Sequence, residues 1–187
     1  MSKEVQTNSA ALQAARDDTI SARPVPEGGP ERRSSITAEI MERTGIDETM
    51  IERLVRTFYD RVQQDTLIGP IFAARIADWE HHIAKLCAFW SSVALMSGRY
   101  HGQPMQRHVG LPIGGAHFDR WLDLFEATAV ELCPPVAAAH FIERARRIAD
   151  SLEMGVATQR GQFYRPRHSN RELDLRSLEA SGAETSR

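Results

Sequence analysis

Residues 79–108 read WEHHIAKLCAFWSSVALMSGRYHGQPMQRH, and the fold follows from how this stretch divides. In its first half Trp79, Ile83, Leu86, Cys87, Trp90 and Val93 recur at three- and four-residue steps, while Glu80, His81, Lys85 and Ser92 fall outside that stripe. That period is an amphipathic helix. His82 lies inside its apolar face. Asp78 stands at the N-cap position, and Ser97-Gly98 stops the helix. After a loop holding Gly102 and Pro104 comes a second histidine, His108, in a turn that Pro104 opens as a first helical residue. The two imidazoles are expected to face each other across the loop. A lone histidine on an apolar face is more often a satisfied core residue than a ligand, so the pair gains meaning only from its neighbours. Tyr59, Phe72, His82, Leu86, His108 and Trp121 sit on separate segments and together make a set able to line one cavity wide enough for a flat cofactor.

Working outward, the segment before this stretch is a second helix. Asp47 is its N-cap, and Ile46 with Ile51 forms the pairing of a hydrophobic staple. Met50, Ile51, Leu54, Val55, Phe58, Tyr59 and Val62 then give a wide apolar face, on which a core tyrosine bonded to some carbonyl is the commoner role for Tyr59. Gly69-Pro70 breaks the chain and leaves Phe72 in a short connection. Downstream, residues 109–115 hold Pro112 and three glycines and read as a loop. Phe118, Trp121, Leu122, Phe125, Ala129 and Leu132 trace a further helix that Pro134-Pro135 ends. A last helix runs from about Val136 to Ala157, with Phe141, Ala145, Ile148, Leu152 and Val156 expected inside and Arg144, Arg146 and Arg147 off the stripe. A short helix is expected from near Ile36. No period-two run or internal repeat is present, so the fold class is all-α.

The 187 residues, 42% of them hydrophobic, suffice for one domain, expected over 36–160. Residues 1–35 and 161–187 are too polar to offset the entropy of ordering and are expected to be disordered tails, with weak helical patterns at 10–15 and at Leu173, Leu175 and Leu178. A formal charge of -2 and a pI near 6.4 give no global electrostatic reason for nucleic acid or an anionic membrane as partner. The arginines after Glu143 are read as a solvated helix face. Cys87 and Cys133 read as buried thiols of a reducing compartment. With no signal-like or membrane-spanning apolar run, the expected location is cytoplasmic.

Several of these pieces, in this order, resemble the group III truncated haemoglobins. They are Phe58-Tyr59, the turn Leu67-Ile68-Gly69-Pro70-Ile71-Phe72, Trp79 with His82, Phe89-Trp90, the run from Ser97 to Pro104 that leads to His108, and Phe118 to Trp121. The resemblance covers roughly residues 37 to 160. It implies a truncated (2-on-2) globin fold, two helices packed over two, with haem b between them. It assigns the proximal iron ligand to His108, the main distal hydrogen-bond donor to Tyr59, a second donor to Trp121, and the distal-helix histidine to His82 with Leu86 one turn on. Phe72 would stack against the porphyrin edge. A one-residue shift would exchange His81 and His82, and the apolar stripe favours His82. Arg107 is a candidate partner for a haem propionate through a charge-assisted hydrogen bond, with Tyr100 a weaker one. The absence of C-x-x-C-H means non-covalent haem.

The implied activity is binding of O2 and other small diatomic ligands at an open iron site, with Tyr59, Trp121 and His82 acting on the ligand. Hydrogen bonds to a charged acceptor are worth roughly 1.5–3 kcal/mol each. Two donors would therefore slow oxygen release about a hundredfold or more. Slow release suits chemistry on the ligand, such as detoxification of nitric oxide or peroxide, better than bulk delivery. Three other readings stay open. The chain is a dedicated haem peroxidase or nitric-oxide dioxygenase with an external reductase or electron donor, since it carries no G-x-G-x-x-G motif of its own; or it is a helical interaction module without haem; or it holds zinc through His81, His82, His101 and His108, a poor geometry because adjacent helix residues point about 100 degrees apart.

Overall fold

The computed structural model describes residues 30–164 and 166. Seven helices follow in order: α1 (Pro30–Thr44), α2 (Glu48–Gln64), α3 (Gly69–Ala73), α4 (Trp79–Leu95), α5 (Pro104–His108), α6 (Gly115–Leu132) and α7 (Pro135–Gln159). Among the described residues there is no strand. The patterns expected at 10–15 and 173–178 lie outside the described residues.

Two helix pairs, α2 with α4 and α6 with α7, are stacked on each other through contacts of α2 with α6 and of α4 with α7. This is the two-on-two arrangement. Its centre is apolar and aromatic: Leu54, Val55, Phe58, Trp90, Phe125 and Phe141 are all at most 1% exposed. Burying one such side chain stabilises the fold by about 1.5–3 kcal/mol.

The helix starts follow their local chemistry. Asp47 Oδ1 accepts from the Met50 amide at 2.7 Å, and the flanking Ile46 and Ile51 are both fully buried, as a staple requires. Removing such a cap costs about 0.5–2 kcal/mol. Asp78 Oδ1 accepts from the His81 amide at 3.0 Å and starts α4 at Trp79. At the other end α4 closes on Met96 in the left-handed region, φ 60°. The last α4 carbonyls are met by side chains from other helices. Arg144 Nε donates to Val93 O (3.0 Å) and Thr37 Oγ1 to Leu95 O (2.8 Å), while His140 Nε2 lies 2.8 Å from Ala94 O.

Four sequence expectations need adjustment. The first helix begins at Pro30, not near Ile36, because proline is tolerated in a first turn and Glu31 complements the helix N-terminus. The connection holding Phe72 is itself one helical turn, α3, with Pro70 in the first turn. Gly69 is needed there, since a Cβ would sit 2.9 Å from Val62 O and 3.0 Å from Gln63 O. On α7 the innermost residues are Ala137, Ala138, Phe141, Ala145, Ala149 and Val156, with Ile148 and Leu152 only half-buried. Small side chains face the close α6–α7 contact and rotate the larger ones to its flank. Finally, α6 starts at Gly115, three residues before the first aromatic of its stripe.

The arginines of α7 are committed within the fold. Arg146 pairs with both Glu126 oxygens at 2.7 and 2.8 Å, Arg147 pairs with Glu143 at 2.5 Å, and Arg144 caps α4. No described helix is long and apolar enough to cross a membrane.

Candidate functional site

Tyr59, on the buried face of α2, is 4% exposed and is the centre of an aromatic box. Its ring lies 5.7 Å from Phe72 of α3, 5.8 Å from His82 and 6.4 Å from Trp79 of α4, and 4.7 Å from Phe58. Trp79 in turn stacks on Phe72 at 6.5 Å and meets His82 edge-on at 5.8 Å. The N-caps decide this assembly: each fixes the first turn of its helix, and thereby the direction in which Tyr59 and His82 leave it.

Trp121 of α6 supplies the polar contact. Its indole N–H faces the Tyr59 hydroxyl as a donor. An indole can only donate, so the phenol oxygen accepts and its own proton remains available for another acceptor. Burial drives the Tyr59 hydroxyl far above its ordinary range, with the Trp121 bond opposing the shift only in part. The group therefore stays a proton-bearing donor at any physiological pH.

His82 is half-buried, and its Nε2 is buried with no hydrogen-bond partner among the described residues. Burial, then the charges of Lys85 and His81, hold its pKa below the ordinary value. A neutral imidazole with an unsatisfied ring nitrogen beside a phenol is able to meet a ligand, and an orphaned buried polar atom is costly without one. His81, the alternative one residue away, is exposed and on the outside of α4.

The surroundings of His108 are built differently. His108 ends the one-turn helix α5 and is half-buried, with Nδ1 2.8 Å from the Pro104 carbonyl oxygen. A carbonyl can only accept, so Nδ1 carries the proton and Nε2 keeps its lone pair for a metal. Met105 presses its sulfur against Gly155 of α7, where any Cβ would overlap it. The loop on either side of α5 is held from a distance. Ser91 Oγ donates to Glu48 Oε1 (2.7 Å) and is 2.7 Å from Ser97 Oγ, Arg99 pairs with Glu48 Oε2 (2.9 Å), and the Tyr100 amide donates to Ser92 Oγ (2.8 Å). Beyond α5, the Arg160 guanidinium donates to the carbonyls of Leu111 and Ile113, and the Gly110 amide donates to Gln159 Oε1 at 3.2 Å.

Of the residues singled out in the sequence, Tyr59, Phe72, His82 and Trp121 are thus brought into one cluster. His108 stands apart from it on α5, which packs against α7, and its ring touches none of the clustered rings. Leu86 is half-buried one turn along α4 from His82. Arg107 is exposed and has no ion-pair partner among the described residues, so its guanidinium is available to an anion. Tyr100 is half-buried, with its ring 5.2 Å from Phe89 and its hydroxyl over Gly102. Trp79, Glu48 and Arg160 were not singled out as site residues. Trp79 belongs to the same apolar stripe as His82 and was legible there. The other two act through partners more than forty residues away, which no local pattern reveals.

In its chemistry the donor set suits a haem: an imidazole whose Nε2 is left free, and separately a buried phenol donor beside an imidazole with an unsatisfied ring nitrogen. It does not form a zinc site, because among the described residues no group of three His, Cys, Asp or Glu side chains is close enough to hold an ion. Two surface clefts, of about 320 Å³ between Arg61, Asp65 and Arg120 and about 130 Å³ between Ile113, Glu153 and Tyr164, share no lining residue with this set.

Comparison with known proteins agrees with this geometry. The bacterial-like globin family matches residues 39–154. The group 3 truncated hemoglobin ctb of Campylobacter jejuni is 33% identical over 113 residues, covering 58% of this chain and 89% of that protein. The group 2 truncated hemoglobin YjbI of Bacillus subtilis is 30% identical over 79 residues, 41% of this chain and 60% of that one. The crystal structure of group III truncated hemoglobin from Campylobacter jejuni aligns with a TM-score of 0.55 at 33% identity, covering 58% of this chain and 89% of that one.

Proposed function

The chain belongs to the bacterial-like globin family and within it is a group III truncated haemoglobin, and from that premise we propose that it holds haem b non-covalently and binds O2 and other small diatomic ligands. Binding of small ligands at haem is what the family does. The finer assignment rests on one observation above all, the contact between His108 Nδ1 and the Pro104 carbonyl, which leaves Nε2 as the free ligand atom. His108 is the iron ligand in this reading, Phe72 and Leu86 pack the macrocycle, and Arg107 meets a propionate, with Tyr100 the lesser candidate.

When bound, the iron supplies one coordination position for the gas. The chain's own groups do the rest. Trp121 occupies the Tyr59 oxygen, so the phenol points its proton elsewhere, and the pocket interior is where an acceptor would meet it. His82, kept neutral by burial, adds a second contact to any ligand that reaches it. The aromatic box excludes water and so strengthens these bonds. We place the protein in the cytoplasm.

A redox role, with nitric oxide or peroxide as substrate, is the second reading, and the buried phenol donor favours it. The acceptor of the His108 proton is a neutral carbonyl, not a carboxylate, so the imidazole gains only modest extra basicity. Turnover therefore depends on electrons brought in by a reductase or a small donor. The decisive experiment is an absorption spectrum of the purified chain with and without dithionite and carbon monoxide. A haem band shifted by both reagents is the expected result, and its absence after reconstitution would leave a haem-free helical module.

A further inference from the structure

Aromatic rings connect the Tyr59–Trp121 pair to the edge of the molecule without interruption. From Trp121 the column steps to Phe125 at 5.4 Å, nearly parallel at 10°, then to Trp90 at 4.7 Å and 14°. It continues edge-on to Phe89 at 5.8 Å and to Tyr100 at 5.2 Å. Trp90 and Phe125 are at most 1% exposed, and Tyr100 is half-buried in the loop after α4. Bulk alone would fill this core equally well with aliphatic side chains. What this column adds is three easily oxidised rings, Trp121, Trp90 and Tyr100, with a phenylalanine between each pair and close stacking where the bridge is deepest. Water is excluded along the inner part, so a charge moving there meets little solvent reorganisation.

We propose that this column carries one electron at a time from the surface to the haem pocket, and that Tyr100 is the site at which a small one-electron donor, a phenol or ascorbate, is oxidised. The inference rests on haem being bound as described above. With hydrogen peroxide as oxidant, cleavage of the O–O bond takes two electrons and two protons and yields two waters. Both electrons come through the column, one at a time, from two donor molecules, so that one peroxide and two donors give two waters and two donor radicals. The column is refilled from Tyr100, whose hydroxyl loses the electron inward and its proton to water. The phenol or ascorbate then returns a hydrogen atom to the Tyr100 oxygen and leaves as its own radical.

The test treats the haem-loaded protein with one equivalent of hydrogen peroxide and a nitroso spin trap, then maps the adduct by peptide mass spectrometry and records the radical by electron paramagnetic resonance. The expected wild-type result is an adduct on Tyr100. Tyr100→Phe loses that adduct and most of the oxidation of added phenol. Trp90→Phe keeps an aromatic ring in the core but removes the middle oxidisable one. It should retain the haem band and carbon monoxide binding while losing most of the Tyr100 adduct, with trapping displaced to Tyr59 or Trp121. Undiminished Tyr100 labelling in Trp90→Phe would overturn the path, and so would a wild-type protein that consumes peroxide with no radical on Tyr100. A protein with no haem band fails earlier, at the functional reading itself, and the two failures are told apart by the spectrum.

Discussion

The two walls of the site are held by different physics. On the Tyr59 side the residues sit on long, capped helices and are fixed by packing. Tyr59 is 4% exposed, and its neighbours Phe58, Phe72, Trp79 and His82 touch it ring to ring. On the His108 side one helical turn lies between two loops, half in solvent, and polar contacts from distant segments hold it: Glu48 with Ser91 and Arg99 before it, Arg160 and Gln159 after it. A packed wall resists displacement because interiors are dense and barely compressible. A wall tied by exposed hydrogen bonds opens more cheaply. The Tyr59 side is therefore the rigid reference, and the His108 side is the part able to give.

That contrast breaks most severely at His108. His108→Ala should abolish haem retention, read as loss of the absorbance band per mole of protein, whereas His82→Ala should keep it. Equal pigment in the two variants would reverse the assignment of the walls. Next comes Tyr59→Phe, which removes one donor worth roughly 1.5–3 kcal/mol and should raise the oxygen dissociation rate by about ten- to a hundredfold in stopped flow. Trp121→Phe should raise it less, because the indole proton is already committed to the Tyr59 oxygen. A larger effect for Trp121 than for Tyr59 would show that the indole, not the phenol, meets the ligand.

Smaller effects sharpen the comparison on the polar side. Arg160→Ala removes the guanidinium from the Leu111 and Ile113 carbonyls. Because Arg160 is exposed, the loss of stability in urea should be only about 1 kcal/mol. Hydrogen exchange in 109–113 should nonetheless rise more than exchange in α2. The weakest effect is with pH. Burial lowers the pKa of both His82 and His140 in the folded chain. The unfolded chain then binds more protons than the folded one below about pH 6.5. Stability should be flat above that value and decline as pH falls through the two depressed pKa values. His140→Gln should flatten the decline, and an unchanged slope in thermal melts from pH 7 to 5 would remove His140 from it.

The packed wall was largely legible in the chain, and the tied wall was not. Asp47, Asp78 and the stripes from Ile51 to Val62 and from Trp79 to Val93 contain their own helices, because capping and periodicity are local. Of the six residues read as one lining, Tyr59, Phe72, His82 and Trp121 lie near one another, and His108 does not join them. On the inner face of α7, Phe141, Ala145 and Val156 lie inside as read, but Ala149 takes the place given to Ile148, since large apolar residues draw attention while close helix contact selects small ones. The supports of α5 act over more than forty residues of sequence and are exposed arginine, glutamate and glutamine, residue types that carry no pattern of their own.

Gly155 has a consequence for tuning. Facing the Met105 sulfur, it works as a spacer of zero thickness between α7 and the turn that ends in His108. Alanine there would meet the flexible end of the Met105 side chain, which can turn aside, so the change would repack the seam between α7 and α5 while leaving the groups around Tyr59 untouched. Position 155 is thus a place to loosen or tighten the seating of the His108 turn separately from the aromatic box.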